Sequence, residues 1–363
     1  MKGLSRASAR PPTAGDSRRL PPRPHPLIGR EAELEKAQSL ILRRDVRWLT
    51  ITGPPGVGKT RFAIEVASAA AGELDEGALF VDLAPIRDPT LVLSVIAQAL
   101  GAYVPPDRPL AKVLQDALRG QNLLLVLDNF EQVAAAAPEV AALLDAAPDL
   151  RLLVTSREPL HVTSEHEYRL SPLPVADPRA SQWTTIRRSP ATVLLTERAR
   201  AADPTFTLDA TNARTVAEIC RRLDGLPLAI ELAAAWIGRL DPEAILARLD
   251  ARRGLPAEPS EAAGRHRTLP EAIAWSYNLL SDVERAVFRR VGIFAGGCSI
   301  DALEAACEDL GAGVLAPIAA LADKNLVVRS EDSAGGQAEP RIRMLETIRE
   351  FALEEMNQTG EMG

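Results

Sequence analysis

The chain has 363 residues, 46% hydrophobic and 25% charged, which is enough for two or three soluble domains. It holds no uncharged apolar run of 18 residues that would make a membrane helix, and its three cysteines (Cys220, Cys298, Cys307) form no CxxC pair. This argues against a disulfide framework and a cysteine zinc site, and the cysteines read as core residues. Residues 1–26 carry six Lys/Arg against one Asp, so the net charge of −7 less this +5 leaves the body near −12, a poor nucleic-acid binder.

Residues 1–26 are rich in Pro, Arg, Ser and Ala, without the apolar core of a secretory signal. They predict a disordered, partly polyproline tail on a cytoplasmic protein. Leu27-Ile28-Gly29-Arg30-Glu31 leads into a helix to about Arg44, and Trp48–Thr52 reads as a buried strand. Next comes Gly53-Pro54-Pro55-Gly56-Val57-Gly58-Lys59-Thr60, which fits the phosphate-binding pattern G-x-x-x-x-G-K-[ST]. Phe62, Ala63, Val66, Ala67 and Ala70 then repeat at helical spacing, so the motif has the strand and helix flanks that it requires. Its glycines let backbone amides turn onto a triphosphate at the positive end of that helix. Residues Gly53 to Arg61 are thus the candidate nucleotide-binding stretch, with Lys59 on the β/γ oxygens and the Thr60 hydroxyl at a Mg2+ position.

A strand over 78–83, a helix opened by Asp88-Pro89 and a helix over 110–119 follow. Leu123–Leu127 is a continuous apolar run, as in a parallel strand buried on both faces. It ends in Asp128, placed to hold Mg2+ through water. The next residue, Asn129, stands where many P-loop ATPases have the acid that activates water; an amide orients water but takes no proton. Asn129→Asp is accordingly expected to speed cleavage, and Glu131, at the start of a helix over 131–146, is the substitute base. Strand Arg151–Thr155 leads to Ser156-Arg157, which puts Arg157 on the carboxyl edge of the sheet, where a guanidinium can sense a γ-phosphate. An edge strand is expected near Tyr168–Leu173. Strands alternating with helices imply a parallel sheet.

From Ser189 the pattern is helical, over about 190–202, 209–223, 227–238 and 242–250. Gly225-Leu226-Pro227-Leu228 falls between two of these helices, with Gly225 suited to a helix end and Pro227 to a helix start. Residues 251–267 read as a linker. Beyond it, Ser281-Asp282-Val283-Glu284 forms a capping box, helices follow near 300–309 and 314–323, and strands at 326–329 and 341–344 flank a Gly335-Gly336 turn. A last helix covers 346–356. Helices followed by a β-ribbon predict a winged helix.

Ile28-Gly29-Arg30-Glu31, the P-loop, Leu125–Asn129, Thr155-Ser156-Arg157, Arg221–Ala233, Ala274–Tyr277 and Leu345–Glu350 together resemble the STAND signalling ATPases. Among these, the series is most similar to the bacterial NB-ARC regulators related to the ATPase cores of AfsR-type and LuxR-type activators. The resemblance covers roughly 27–358. It implies a P-loop nucleotide-binding domain over 27–175, an all-α domain over 176–255 and a winged-helix domain over 256–363. It also implies an ADP/ATP switch in which Arg30 lies near base and ribose, Pro227 packs on the nucleotide and Arg157 reads the γ-phosphate. The winged helix would close over ADP and swing away when ATP permits self-association.

Two departures stand out. Met344-Leu345-Glu346 replaces the Met-His-Asp of plant and apoptotic relatives, so no histidine there holds the ADP β-phosphate. Relatives also continue into a helical-repeat sensor and often a DNA-binding domain. The chain is therefore expected to be a fragment, or an engine whose sensor or regulatory partner lies elsewhere. No Asn-Lys-x-Asp guanine-reading motif occurs, so adenine is the expected base. The expected function is slow, Mg-dependent ATP hydrolysis driving a switch. The competing reading, DNA binding through the winged helix, is disfavoured because Val314–Lys324 carries one cation and one anion.

Overall fold

The computed structural model describes residues 20–23, 26–177, 182–237, 240–250, 269–278, 280–310, 313–324, 326–331 and 340–361. The linker over 251–267 and the Gly335-Gly336 turn lie outside them, as does the expected tail but for residues 20–23 and 26.

Helix α1 (Glu31–Leu42) precedes β1 (Trp48–Thr52) and α2 (Lys59–Ala70), followed by β2 (Ala78–Asp82), α3 (Val92–Leu100), α4 (Leu110–Leu118), β3 (Leu124–Asp128), α5 (Ala137–Ala146), β4 (Arg151–Thr155) and β5 (Glu165–Arg169). The strands form one parallel sheet in the order β2-β3-β4-β1-β5. Alternate side chains feed two cores, as a strand's period of two requires. Leu49, Ile51, Leu124, Val126 and Leu153 pack with α1 and α2, whereas Trp48, Leu125, Leu127, Leu152 and Val154 pack with α3, α4 and α5. Burial on both faces explains the unbroken apolar run of β3, each enclosed Leu being worth about 1.5–3 kcal/mol.

Several boundaries differ from the sequence-based expectation, each for a local reason. The edge strand lies at Glu165–Arg169, earlier than expected, because it pairs only with β1 and its part-exposed polar residues leave no apolar run to mark it. The helix expected over 131–146 begins as 3-10 turns, Phe130–Ala136. Val133 leaves helical dihedrals (φ −124°), and Pro138 starts α5 without an amide to donate. As expected, Asp88 caps the turn into α3 by accepting from the Thr90 amide at 3.0 Å.

Short α6 (Trp183–Ile186) leads to α7 (Pro190–Ala202), α8 (Ala213–Arg222), α9 (Pro227–Ala234) and α10 (Pro242–Asp250). Helix α8 starts after 209, since the Asp209 carboxylate accepts from the amides of Thr211 (2.8 Å) and Asn212 (3.2 Å) and forms a turn there instead. Between α8 and α9 the backbone goes left-handed at Asp224 (φ 53°) and Gly225 (φ 67°).

The last part comprises α11 (Leu269–Asn278), α12 (Asp282–Val291), β6 (Cys298–Ser299), α13 (Ile300–Ala306), α14 (Leu315–Asp323), β7 (Val328–Glu331), β8 (Pro340–Arg343) and α15 (Glu346–Thr359). Ser281 and Glu284 complete the capping box of α12. Beyond the expected ribbon, β6 adds a third antiparallel strand, giving the order β6-β8-β7. Polar contacts tie this part to the rest. The Asp224 carboxylate accepts from the Thr347 amide and hydroxyl (2.9 and 3.1 Å) at the start of α15, and Lys324, which also pairs with Glu284 of α12 at 3.7 Å, reaches Glu158 at 3.4 Å. Cys220, Cys298 and Cys307 are buried thiols. Among the described residues no helix is long and apolar enough to cross a membrane.

Candidate functional site

The buried strand β1 delivers Gly53 to the carboxyl edge of the sheet, and Gly58 starts α2 with φ 92°. Gly53 must be glycine, because a Cβ there would lie 2.5 Å from the Leu170 carbonyl oxygen. The loop wraps Lys59, whose Nζ donates to the carbonyls of Gly53 (2.8 Å) and Pro54 (3.2 Å). Burial pushes this ammonium down to about 8, while Glu131 and Asp128 pull it up and Arg157 opposes them.

The Thr60 hydroxyl donates to Asp128 Oδ1 at 2.8 Å, and Thr155 donates to the same oxygen at 2.5 Å. Parallel pairing of β3 and β4 places Thr155 beside the end of β3. Asn129 donates through Nδ2 to the other oxygen, Asp128 Oδ2, at 2.9 Å, and its amide donates to Thr155 Oγ1 at 3.0 Å. Asn129 adopts the left-handed conformation (φ 60°) that an asparagine tolerates better than most residues. Asn129 thus bonds the carboxylate beside it, a contact the linear sequence did not disclose. Burial raises the Asp128 pKa above its ordinary value, against the bonds from Thr155 and Thr60.

Glu131 and Arg157 arrive from the segments after β3 and β4 and form a buried ion pair, Nε to Oε1 2.9 Å. Glu131 Oε2 is buried without a hydrogen-bond partner. Burial lowers the Arg157 pKa, partly offset by Glu131. Arg30 is almost fully enclosed and turned into the protein: Nη1 meets Glu33 (3.1 Å), and Nη2 donates to the carbonyls of Val57 (3.3 Å) and Ser171 (2.8 Å). It thereby ties Val57 of the P-loop to Ser171, just after β5. Arg61 pairs with Glu65 one turn along α2, at 3.3 Å. Pro227 begins α9, and the next amide, Leu228 N, donates to the Gly56 carbonyl at 3.1 Å, which joins this helix directly to the P-loop.

These groups surround a cleft of about 380 Å3, within the size range of small-molecule sites. Its walls include Arg30, residues 55–61, Asn129, Glu131, Arg157 and Pro227, which sequence reasoning named, and Leu173, Leu194, Arg198 and Glu231, which it missed. Leu194 and Arg198 are one turn apart on α7, as are Pro227 and Glu231 on α9, and only the packing of those helices brings the pairs to the P-loop. The donor set fits a magnesium nucleotide: an enclosed ammonium bonded only to carbonyls among the described residues calls for an anion, and a hydroxyl beside a buried carboxylate suits a hard cation.

An AAA domain family model matches residues 43–163. The uncharacterized protein Rv0894 of Mycobacterium tuberculosis is 37% identical over 340 residues, covering 92% of this chain and 82% of its own length. The chain belongs to the family of Rv0894. It also matches Rv0890c of the same organism, named for an HTH-type transcriptional regulator, at 40% identity over 320 residues, 87% of this chain and 34% of that one. The regulatory protein AfsR of Streptomyces griseus is 30% identical over 315 residues, 83% of this chain and 29% of its own. The chain spans about a third of the length of these two regulators. This Rv0894-family chain therefore contains an AAA-type P-loop ATPase domain with homology to AfsR-type regulators.

Proposed function

We propose that this Rv0894-family chain is a cytoplasmic ATP/ADP switch of the STAND, NB-ARC-like kind, in which slow ATP hydrolysis is coupled to conformational change and self-association. The backbone of the P-loop and Lys59 bind the β/γ-phosphates, Thr60 and Asp128 hold Mg2+, and Asn129 and Thr155 fix the carboxylate that does so. Mg2+, when bound, supplies charge neutralisation at the phosphate oxygens. Arg157 stabilises charge on the terminal phosphate, and Glu131 takes the proton of the attacking water.

The observation that carries the switch reading is the bond from Leu228 N to the Gly56 carbonyl, 3.1 Å, at the start of α9. A nucleotide that shifts the P-loop must move α9, and the Asp224–Thr347 contact three residues before Pro227 hands that motion to α15. The three-stranded sheet and its helices are read as a winged helix that serves packing. The end of α14 supports this: Lys324, the residue that follows it, is engaged by Glu158 and Glu284. Regulators such as Rv0890c would use a unit of this kind as the engine, with DNA read elsewhere. Calorimetry with Mg-ATP and Mg-ADP tests the site: Lys59→Ala is expected to abolish both, and unchanged affinity would reject the assignment.

A further inference from the structure

The cleft wall combines charged groups, Lys59, Glu131 and Arg157, with apolar ones, Ile28, Leu194, Pro227 and Leu228. One turn along from the apolar wall residues Leu194 and Pro227 stands a polar pair that the proposed chemistry does not use. Arg198 Nε donates to Glu231 Oε1 at 2.9 Å, across the packed helices α7 and α9. Each lies one helical turn beyond a wall residue, Arg198 above Leu194 and Glu231 above Pro227, so both face the same opening.

Stability does not account for this pair. The Glu231 side chain is 42% exposed and that of Arg198 19%, and such pairs contribute at most about 1 kcal/mol. Among the described residues, nothing else bonds Glu231 Oε2 or the terminal nitrogens of Arg198. The guanidinium therefore holds one carboxylate oxygen and leaves the other available to accept hydrogen bonds in the cleft wall. A carboxylate there repels phosphate, which fixes the polarity of the ligand with its phosphates at Lys59. It also accepts hydrogen bonds from vicinal hydroxyls, the chemistry by which an acidic side chain recognises a ribose.

We propose that Glu231 is the sugar-reading residue of the site, selecting ribonucleotides through the ribose hydroxyls, with Arg198 as its positioning residue. The proposal rests on the reading of the cleft as an ATP site. Calorimetry of the full chain with Mg-ATP, Mg-2′-deoxy-ATP and Mg-3′-deoxy-ATP tests it. The wild type is expected to prefer ATP over at least one deoxy analogue by about tenfold or more, as for a hydrogen bond to a charged acceptor. In Glu231→Gln, and in Arg198→Gln as a second variant, the ratio is expected to fall to about twofold, with thermal unfolding showing that the variants are folded. A wild type that binds all three equally would overturn the proposal while leaving the ATP site intact. So would variants that lose affinity for all three by one common factor. Failure of the wild type to bind any of them would instead remove the ATP reading, and this proposal with it.

Discussion

Glu131 Oε1 accepts a hydrogen bond from Arg157 Nε at 2.9 Å, and both side chains are buried in the wall of the cleft. The second oxygen, Oε2, is buried with no partner. An unsatisfied buried polar atom costs about 1–3 kcal/mol, a cost that functional sites sustain. In the proposed mechanism Arg157 serves the terminal phosphate and Glu131 takes the proton of the attacking water, so the resting ion pair between them must first be broken. Turnover is therefore expected to be slow, well below ~10 s⁻¹. Glu131→Gln is expected to slow single-turnover ATP cleavage by about 10²-fold or more, with the effect in the rate rather than in affinity. Equal quenched-flow rates for the two proteins would remove Glu131 as the base.

Asn129 Nδ2 donates to Asp128 Oδ2 at 2.9 Å, so Asn129→Asp would set two carboxylates against each other. Like charges that close cannot both ionise freely. The variant is expected to need about tenfold more Mg2+ for half-maximal ATP binding and to cleave more slowly. This reverses the expectation drawn from sequence alone, in which an acid at 129 supplies the missing base. Titration of ATP affinity against Mg2+ decides between them; faster cleavage at unchanged Mg2+ demand would restore the sequence-based view.

The contrast shows what the sequence made legible. The P-loop, the doubly buried β3 and the Gly-Leu-Pro turn each carry their signal within a few consecutive residues, so pattern and spacing located them. Residues whose role arises from packing left no such signal: Arg198 and Glu231 come from separate helices, and the side chain of Asn129 is aimed by a left-handed backbone. Arg30 was found for its motif, but its bonds to Val57 and Ser171 depend on a residue 141 positions away. Strand β5 was placed late because an edge strand carries no buried apolar run.

Lys59 gives a pH test. Its pKa in the folded protein, about 8, lies below the ordinary 10.5, chiefly through burial. Between those values the unfolded chain binds more protons, so this group makes the nucleotide-free protein more stable as pH rises from about 8 to about 10.5. Lys59→Met is expected to lack this rise in urea unfolding at pH 7.5 and 9.5. At neutral pH the relief of burial and the lost bonds to the Gly53 and Pro54 carbonyls act in opposite directions, so the pH slope rather than the absolute stability is the readout. Parallel pH slopes for the two proteins would show that the ammonium is not held at that cost.

Gly225 is left-handed (φ +67°), and a Cβ there would lie 2.2 Å from the Leu173 carbonyl oxygen, a backbone atom. Gly225→Ala is expected to cost at least ~2 kcal/mol in denaturant unfolding, and to weaken ATP binding because Leu173 and Pro227 both line the cleft. Wild-type stability and affinity would mean that the turn relaxes without disturbing the wall.

The most direct test of the switch is the mass of the protein in solution by light scattering, with saturating Mg-ADP and with a non-hydrolysable Mg-ATP analogue. The account predicts a monomer with ADP, a larger assembly with the analogue, and no increase for Lys59→Ala. The same mass with either nucleotide, when calorimetry shows both to be bound, would contradict it.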